Sequence, residues 1–299
     1  MGELTDLIAS GLVRRGEPLG PLTTYKAGGP ANYYAEIDSE AALRQLISSG
    51  LPMHHPTLVL GRGSNLVVAD QGFDGLVIRL GGEFMEAAVD DDVVTAGGGV
   101  PLPRLARQTV EAGLLGLEFF VGVPGSVGGA VRQNAGCFGV EVKDRLVGAV
   151  VTDLHSGVTR TVDAISLGLG YRHSNIASQD VVVSASFKGH KGDPEVGRRL
   201  MREITRWRRD HQPGGTLNAG SVFKNPEGIS AGELIDKLGL KGTRVGDVAV
   251  SDKHANFFVA GPNATSAEIR RLVEVVKDAV MEKTGTILEP EIQFVGFEE

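Results

Sequence analysis

Glycine sets the terms for this chain: 42 of its 299 residues are glycine, gathered in clusters between short apolar runs. That is about twice the usual share. The spacing has no collagen-like period. The clusters therefore read as tight turns and as places where bare backbone comes close to something bound. Hydrophobic residues make up 41% of the chain and mean hydropathy is +0.00. That is enough for one large domain or two to three small ones, and nothing directs the chain to a membrane or to disorder. Acidic residues outnumber basic ones 37 to 30, a net charge of -7. Such a balance disfavours nucleic acid as a partner unless a basic patch is strongly local. Cys137 is the single cysteine, which excludes an intrachain disulfide and a cysteine-built metal site. The opening MGELTDLIASGLVRRGE has no apolar signal core. The longest uncharged stretch, Phe119 to Val131, is too short to span a bilayer, and the sequon at Asn263 is expected to be idle. These features predict a cytoplasmic chain with no membrane partner, no nucleic-acid partner and no metal.

Capping and periodicity place the main elements. Asp38 and Ser39 cap a helix with Leu43, Leu46 and Ile47 on one face, and Gly50 ends it. Thr57 to Leu60, Leu76 to Leu80 and Val93 to Ala96 read as strands. Pro101 opens a helix with Leu102, Leu105 and Val110 inside and Gly113 as its stop. Leu146 to Val151 and Val181 to Phe187 are further strands. Residues 194–209 form a basic helix whose inward face is expected at Leu200, Ile204 and Trp207. It ends before Pro213-Gly214-Gly215, where a domain boundary is expected. Ala231 to Leu238 is helical. Thr265 and Glu268 form a capping box ahead of a longer helix with the stripe Ile269, Leu272, Val273, Val276 and Val280, closed by Gly285. Ile287-Leu288 and Ile292 to Val295 are strand-like.

The common phosphate-binding, dinucleotide, zinc-protease and serine-hydrolase motifs are absent. What remains is two glycine turns, 61–65 and 122–129. Turns of this kind aim backbone N–H groups at a common point and suit a pyrophosphate; Ser64, Asn65 and Ser126 add side-chain groups. They serve equally as plain tight turns. Residues 219–226 place a hydroxyl (Ser221), an ammonium (Lys224) and an amide (Asn225) just before a helix. Two more polar clusters are Tyr171-Arg172-His173-Ser174 and 251–257, with His254 and Asn256. Glu289 and Glu291 would share one face of a strand. Both point inward, where an unpaired charge is costly, or both lie on a solvated edge.

In chain order, TYKAGGPA (from Thr24), LGRGSNLVV, GVPGSVGGAVRQNAGCFG, GYRHS, AGSVFKNP, LIDKLGLKG, VSDKHANF and LEPEIQFVG resemble the signatures of the UDP-N-acetylenolpyruvoylglucosamine reductases. One such motif is weak; eight in order, from about Leu22 to Gly296, are specific. The short interval between Arg172 and Ser221 resembles the type II subclass, which lacks an inserted loop carrying a substrate-binding tyrosine. The resemblance implies an α+β fold with a two-subdomain FAD-binding region of the vanillyl-alcohol-oxidase type and a C-terminal α+β substrate-binding domain. The implied divisions are 1–83 with 286–299, 84–200, and 201–285.

The resemblance also implies roles. FAD would be held non-covalently by Tyr25, Gly61, Arg62, Gly63, Ser64, Asn65 and Leu66, and by Gly122, Pro124, Gly125, Ser126, Gly128, Gly129, Ala130 and Asn134, with its pyrophosphate on the backbone amides of the two turns. NADPH would be the hydride donor and UDP-N-acetylglucosamine enolpyruvate the substrate, reduced to UDP-N-acetylmuramate for peptidoglycan. Ser221 matches the residue that gives a proton to C2. Arg172 and Glu291 match the pair that stabilises the enol-like intermediate. Tyr171, Arg172, Lys224, Asn225, His254 and Asn256 are the substrate-binding candidates, with His211 or Arg209 in place of a further family lysine. The chemistry is coherent: an arginine supplies fixed positive charge where negative charge develops, and a glutamate beside it works if burial keeps it protonated or the arginine offsets it. Gln133 and Cys137-Phe138 depart from the family pattern. Two other readings are a flavin oxidase of the same superfamily, with covalent attachment at Cys137, and a nucleic-acid module using helix 194–209. Glu195, Glu203 and Asp210 interrupt the charge of that helix.

Overall fold

The structure is a computed structural model and describes residues 2–298. The chain forms two compact units. The first takes the residues up to Gly16, Asn32–Arg62 and Asp74–Trp207; the second takes Glu17–Ala31, Gly63–Phe73 and the residues from Arg208 onward. Residues 17–31 and 63–73, placed by sequence with the N-terminal subdomain, thus pack with C-terminal residues.

The first unit has two cores. One lies against a four-stranded sheet ordered Arg14–Pro18, Pro30–Ile37, Phe73–Leu80, Thr57–Val59. Thr57–Val59 runs parallel to Phe73–Leu80, with Leu58 opposite Val77. Leu76, Val77 and Ile78 are all fully buried, as befits a strand covered on both faces. The helix Glu40–Ser48 packs Leu43 and Leu46 into this core, and the Ser39 hydroxyl caps it by accepting from the Ala42 amide at 3.2 Å. The other core lies on an antiparallel sheet ordered Thr159–Asp163, Leu146–Asp153, Asp180–Lys188, Val93–Gly97, Ala87–Asp90. The helix Leu102–Glu111 seals it with Leu102, Leu105 and Val110, as the spacing predicts. The glycine-dense stretch after Phe119 contains a helix, Val127–Gln133, that packs on the Asp180–Lys188 strand.

The basic helix is Pro194–His211, and its inward face differs from the expected one. Gly197, Met201 and Ile204 are buried, whereas Leu200 and Trp207 are 36% and 41% exposed. At about 100° per residue, 197, 201 and 204 make one narrow stripe and residues 200 and 207 fall on its flank. Gly197 leads that stripe because a Cβ there would come within 2.8 Å of side-chain carbons of Val110 and Leu115.

The second unit is organised on the helix Ser266–Thr284, whose Ile269, Leu272, Val273, Val276 and Val280 are all fully buried. It packs with the sheet Arg244–Val245, Val248–Val250, Phe258–Ala260 and with the parallel pair Gln293–Val295 and Leu66–Val68. Ile287-Leu288 is not a strand: Leu288 is buried and Ile287 faces solvent. The capping box is complete, with Thr265 Oγ1 accepting from the Glu268 amide at 3.2 Å and Glu268 Oε2 accepting from the Thr265 amide at 3.0 Å. The Asp70 carboxylate accepts from the next two amides, Ser266 at 2.8 Å and Ala267 at 2.9 Å. A negative charge there also complements the helix dipole. Thr265→Ala and Asp70→Ala are each expected to lower stability by about 1 kcal/mol, read as a lower urea midpoint with unchanged m-value.

Candidate functional site

A cleft opens in the first unit. Val59, Leu60, Gly61 and Leu80 line it from the first sheet's side; Gly98, Gly99, Ser126, Gly128, Gly129, Arg132, Asp180 and Val182 line it from the second's. The two glycine turns singled out in the sequence meet here. A Cβ on Gly61 would stand 2.5 Å from Ser126 Oγ, and one on Gly98 would stand 1.9 Å from Val182 O. Glycine at 98 is demanded by the close approach of backbone, while at 61 a Cβ would meet the Ser126 side chain. Gly129 is different: a Cβ there meets nothing nearer than Ser126 Oγ at 3.5 Å. No protein atom requires glycine at 129, and its bare backbone lets a ligand come close.

The second turn is tied down more than its sequence suggests. The Val127 and Gly128 amides donate to Val100 O at 3.0 Å and Gly98 O at 2.8 Å, and Gly125 O accepts from the Leu102 amide at 3.1 Å. These two amides fasten the turn to the 97–102 segment instead of serving as anion donors. Gly122 and Ala130 are buried and Pro124 is exposed. Arg132 and Asp180, which line the cleft, carry no glycine signature and escaped the sequence reading; the available signal was a charged residue at the head of an otherwise apolar strand. Arg132 donates Nη1 to Ala177 O at 3.1 Å, and burial lowers its pKa, opposed by the nearby Asp180 charge. Cys137 is not among the lining residues; it pairs with Val140 in a two-residue ladder.

Asn134 ends the Val127–Gln133 helix in a left-handed conformation, φ 42°. Its side chain is fully engaged: Nδ2 donates to Glu141 Oε2 at 3.0 Å and Gly170 O at 2.8 Å, and Oδ1 accepts from the Lys143 amide at 2.9 Å. The side chain is a structural tie between the helix end and the segment at Gly170. It holds a two-residue hairpin in which Gly170 and His173 exchange backbone bonds of 3.1 and 3.2 Å. Tyr171 and Arg172 form the tip. Arg172 has φ 54° and its guanidinium lies 5.0 Å over the Tyr171 ring. The Ser174 hydroxyl donates to Arg132 O at 2.7 Å, linking this hairpin to the cleft helix.

The second unit assembles the remaining candidates. Ser221 is half-buried and bridges to Phe257. The segment after it lies between two others: Val222 N–H donates to Asn256 O at 2.8 Å, Lys224 N–H to Glu289 O at 2.9 Å, and Glu291 N–H to Val222 O at 2.7 Å. Lys224 Nζ pairs with Glu289 at 3.2 Å, so Glu289 is on a solvated edge while Glu291 is half-buried. Asn65 Nδ2 donates to Glu291 O at 3.0 Å. Asn225 Oδ1 caps the helix Ala231–Lys237 by accepting from the Ala231 amide at 3.0 Å. Asn256 is buried, accepting from Phe223 N–H at 2.9 Å and donating to Phe223 O at 2.8 Å; it holds the Ser221 segment. Tyr25 is likewise a core residue, its hydroxyl donating to Phe258 O at 3.3 Å and its pKa pushed well up by burial. Gly63 is glycine because a Cβ would stand 2.5 Å from Leu22 O. Leu66 is a buried strand residue, Ser64 is half-buried and Arg62 is exposed. Among the described residues, no three His, Cys, Asp or Glu side chains are placed to hold a metal.

His254 lies edge-on to Phe257 at 4.8 Å, and its Nδ1 accepts from the Asn256 amide at 3.2 Å. That bond fixes the neutral tautomer with the proton on Nε2. Desolvation lowers its pKa below the ordinary histidine value. The stability this contributes is present above about pH 6.5 and is lost as pH falls, because the unfolded chain takes up the proton first. In urea unfolding between pH 7.5 and 5, His254→Asn is expected to show a shallower loss of stability than the unaltered protein.

Residues 31–163 match an FAD-binding domain family, and residues 212–295 match the C-terminal domain of UDP-N-acetylenolpyruvoylglucosamine reductase. A UDP-N-acetylenolpyruvoylglucosamine reductase of Novosphingobium aromaticivorans is 42% identical over 280 residues, covering 93% of this chain and 94% of its own. One from a Synechococcus strain is 42% identical over 290 residues, covering 95% and 94%. The crystal structure of the Thermus caldophilus enzyme matches with a TM-score of 0.81 at 37% identity, covering 95% of this chain and 98% of that one. The FAD-binding match spans both glycine turns that meet at the cleft, and the C-terminal match spans Ser221, His254 and Glu291; with relatives aligned over nearly its whole length, the chain belongs to the UDP-N-acetylenolpyruvoylglucosamine reductase family.

Proposed function

We propose that this protein reduces UDP-N-acetylglucosamine enolpyruvate to UDP-N-acetylmuramate with NADPH as reductant, and that Ser221 is the proton donor. The family and its FAD dependence are the starting point. The observation that carries the rest is the fixing of Ser221 at the head of a segment held on both edges, by Asn256 on one side and Glu289 to Ile292 on the other. The cleft of the first unit fits the dinucleotide: Gly129 leaves backbone approachable and Arg132 brings positive charge. FAD, when bound, supplies hydride exchange between the nicotinamide and C3 of the enolpyruvyl group.

The chain's own residues complete the reaction. Ser221 donates its hydroxyl proton to C2. A serine is a weak acid, but the carbon it meets is strongly basic, and a positioned acid is typically worth about 10²- to 10⁴-fold in rate. Arg172 sits at a hairpin tip whose geometry is set by Asn134; its fixed charge offsets the charge that grows on the substrate carboxylate. Glu291 assists at the enol. Tyr171, Lys224, Asn225 and His254 bind the sugar nucleotide, with neutral His254 acting as a hydrogen-bond donor through Nε2. The substrates are small soluble nucleotides, no helix among the described residues is long and apolar enough to cross a membrane, and the reaction belongs in the cytoplasm.

Ser221→Ala is expected to keep flavin reduction by NADPH at its normal rate and to slow reoxidation by the sugar nucleotide by about 10²-fold or more, read by stopped-flow flavin absorbance. An equal fall in both half-reactions would remove Ser221 from the protonation step. Gly129→Ala is expected to fold normally yet bind FAD poorly, whereas Gly98→Ala is expected to lose the fold itself; circular dichroism and flavin absorbance on the two variants separate these effects.

A further inference from the structure

Asp180 heads the central strand of the five-stranded sheet and lines the cleft while being only 2% exposed. Its two carboxylate oxygens have unequal surroundings. Oδ2 accepts from Arg160 Nη2 at 2.5 Å and from the Ala177 amide at 3.2 Å. Oδ1 is buried and has no hydrogen-bond partner among the described residues. Buried polar atoms are paired in the great majority of cases, and an anionic oxygen left unmet is expensive. We infer that Asp180 is a recognition residue of the FAD cleft, its Oδ1 accepting a hydrogen bond from a neutral donor of the dinucleotide, a hydroxyl or an amino group. The inference rests on the family's FAD dependence.

The charges around the cleft sort the ligand. A carboxylate repels the diphosphate, so Asp180 faces a neutral donor group. The dinucleotide carries such donors on both sides of its phosphates: the ribose hydroxyls and adenine amino group on one, the ribityl hydroxyls on the other. Arg132 is the cation of the same cleft, with one nitrogen given to Ala177 O, and it offsets the phosphate charge. The edge-strand Arg160 pairs with Oδ2 and leaves Oδ1 as the oxygen without a partner among the described residues.

The test is FAD binding by the full-length protein, followed by flavin fluorescence after reversible removal of bound flavin. Asp180→Asn is expected to weaken FAD binding about tenfold or more, the scale of a lost charge-assisted hydrogen bond. Arg160→Gln removes an Oδ2 partner alone and is expected to stay within about twofold of the unaltered protein. Competition with ADP and direct binding of FMN locate the donor: a penalty shared by ADP and absent with FMN places it on the adenosine, and the reverse places it on the ribityl chain. If Asp180→Asn fails to fold, Asp180→Glu keeps the charge and displaces the oxygen, and the same loss is expected. FAD affinity unchanged in the folded Asp180 variant, or an equal loss in Arg160→Gln, would overturn the inference and leave Asp180 a structural anchor. Unaltered protein that fails to bind FAD at all would instead overturn the cofactor assignment beneath it.

Discussion

The segment that carries Ser221 has no long strand beside it, and a single side-chain amide does the pairing. Asn256 offers Phe223 both an acceptor and a donor, matching the backbone N–H at 2.9 Å and the carbonyl at 2.8 Å as a neighbouring strand would. Buried backbone must find partners, and here irregular pieces provide them: Asn256 on one edge, Glu289 and Glu291 on the other. Phe223 is then locked face to edge with Phe258, ring centroids 5.9 Å apart. Fixing residues 222–224 in this way fixes the residue before them, and Ser221 inherits a rigid position from the segments on either side.

Glycine plays two distinct parts in the first unit. At Gly98 it lets backbone close to a contact distance that any Cβ would forbid, and at Gly61 it makes room for the Ser126 side chain. At Gly129 the surrounding protein would accept a methyl group, so what the missing side chain spares is open space in the cleft. The sequence shows only that glycines are many; the distance from each absent Cβ to its nearest atom tells which of them build the walls and which keep the space between them usable.

Much of the fold was legible because its signals are local. Ser39 and the Thr265–Glu268 box announce their helices by capping chemistry, and the Leu102–Glu111 helix declares its buried face by spacing. The strands Arg14–Pro18 and Thr159–Asp163 were not legible, since both are largely exposed edge strands with no apolar alternation to see. The site was legible by residue type and less so by task. Asn134 and Asn256 sit inside binding motifs and also bond backbone more than thirty residues away, at Gly170 and Phe223, and one-dimensional order does not reveal such partners. Asp180 and Arg132 belong to the cleft only because a strand start and a short helix converge there.

The parallel pair formed by Leu66–Val68 and Gln293–Val295, with the Asn65 to Glu291 bond spanning 226 residues, has a consequence for how the protein is made. A chain emerges from the ribosome in order, so the apolar Leu-Val-Val edge is synthesised long before the strand that covers it. At about 5–20 residues per second the wait is roughly 10–45 s. During that interval an unpaired, hydrophobic strand edge is available to any similar edge on a neighbouring nascent chain. The parallel pair of the second unit therefore closes only after nearly the whole chain has been synthesised.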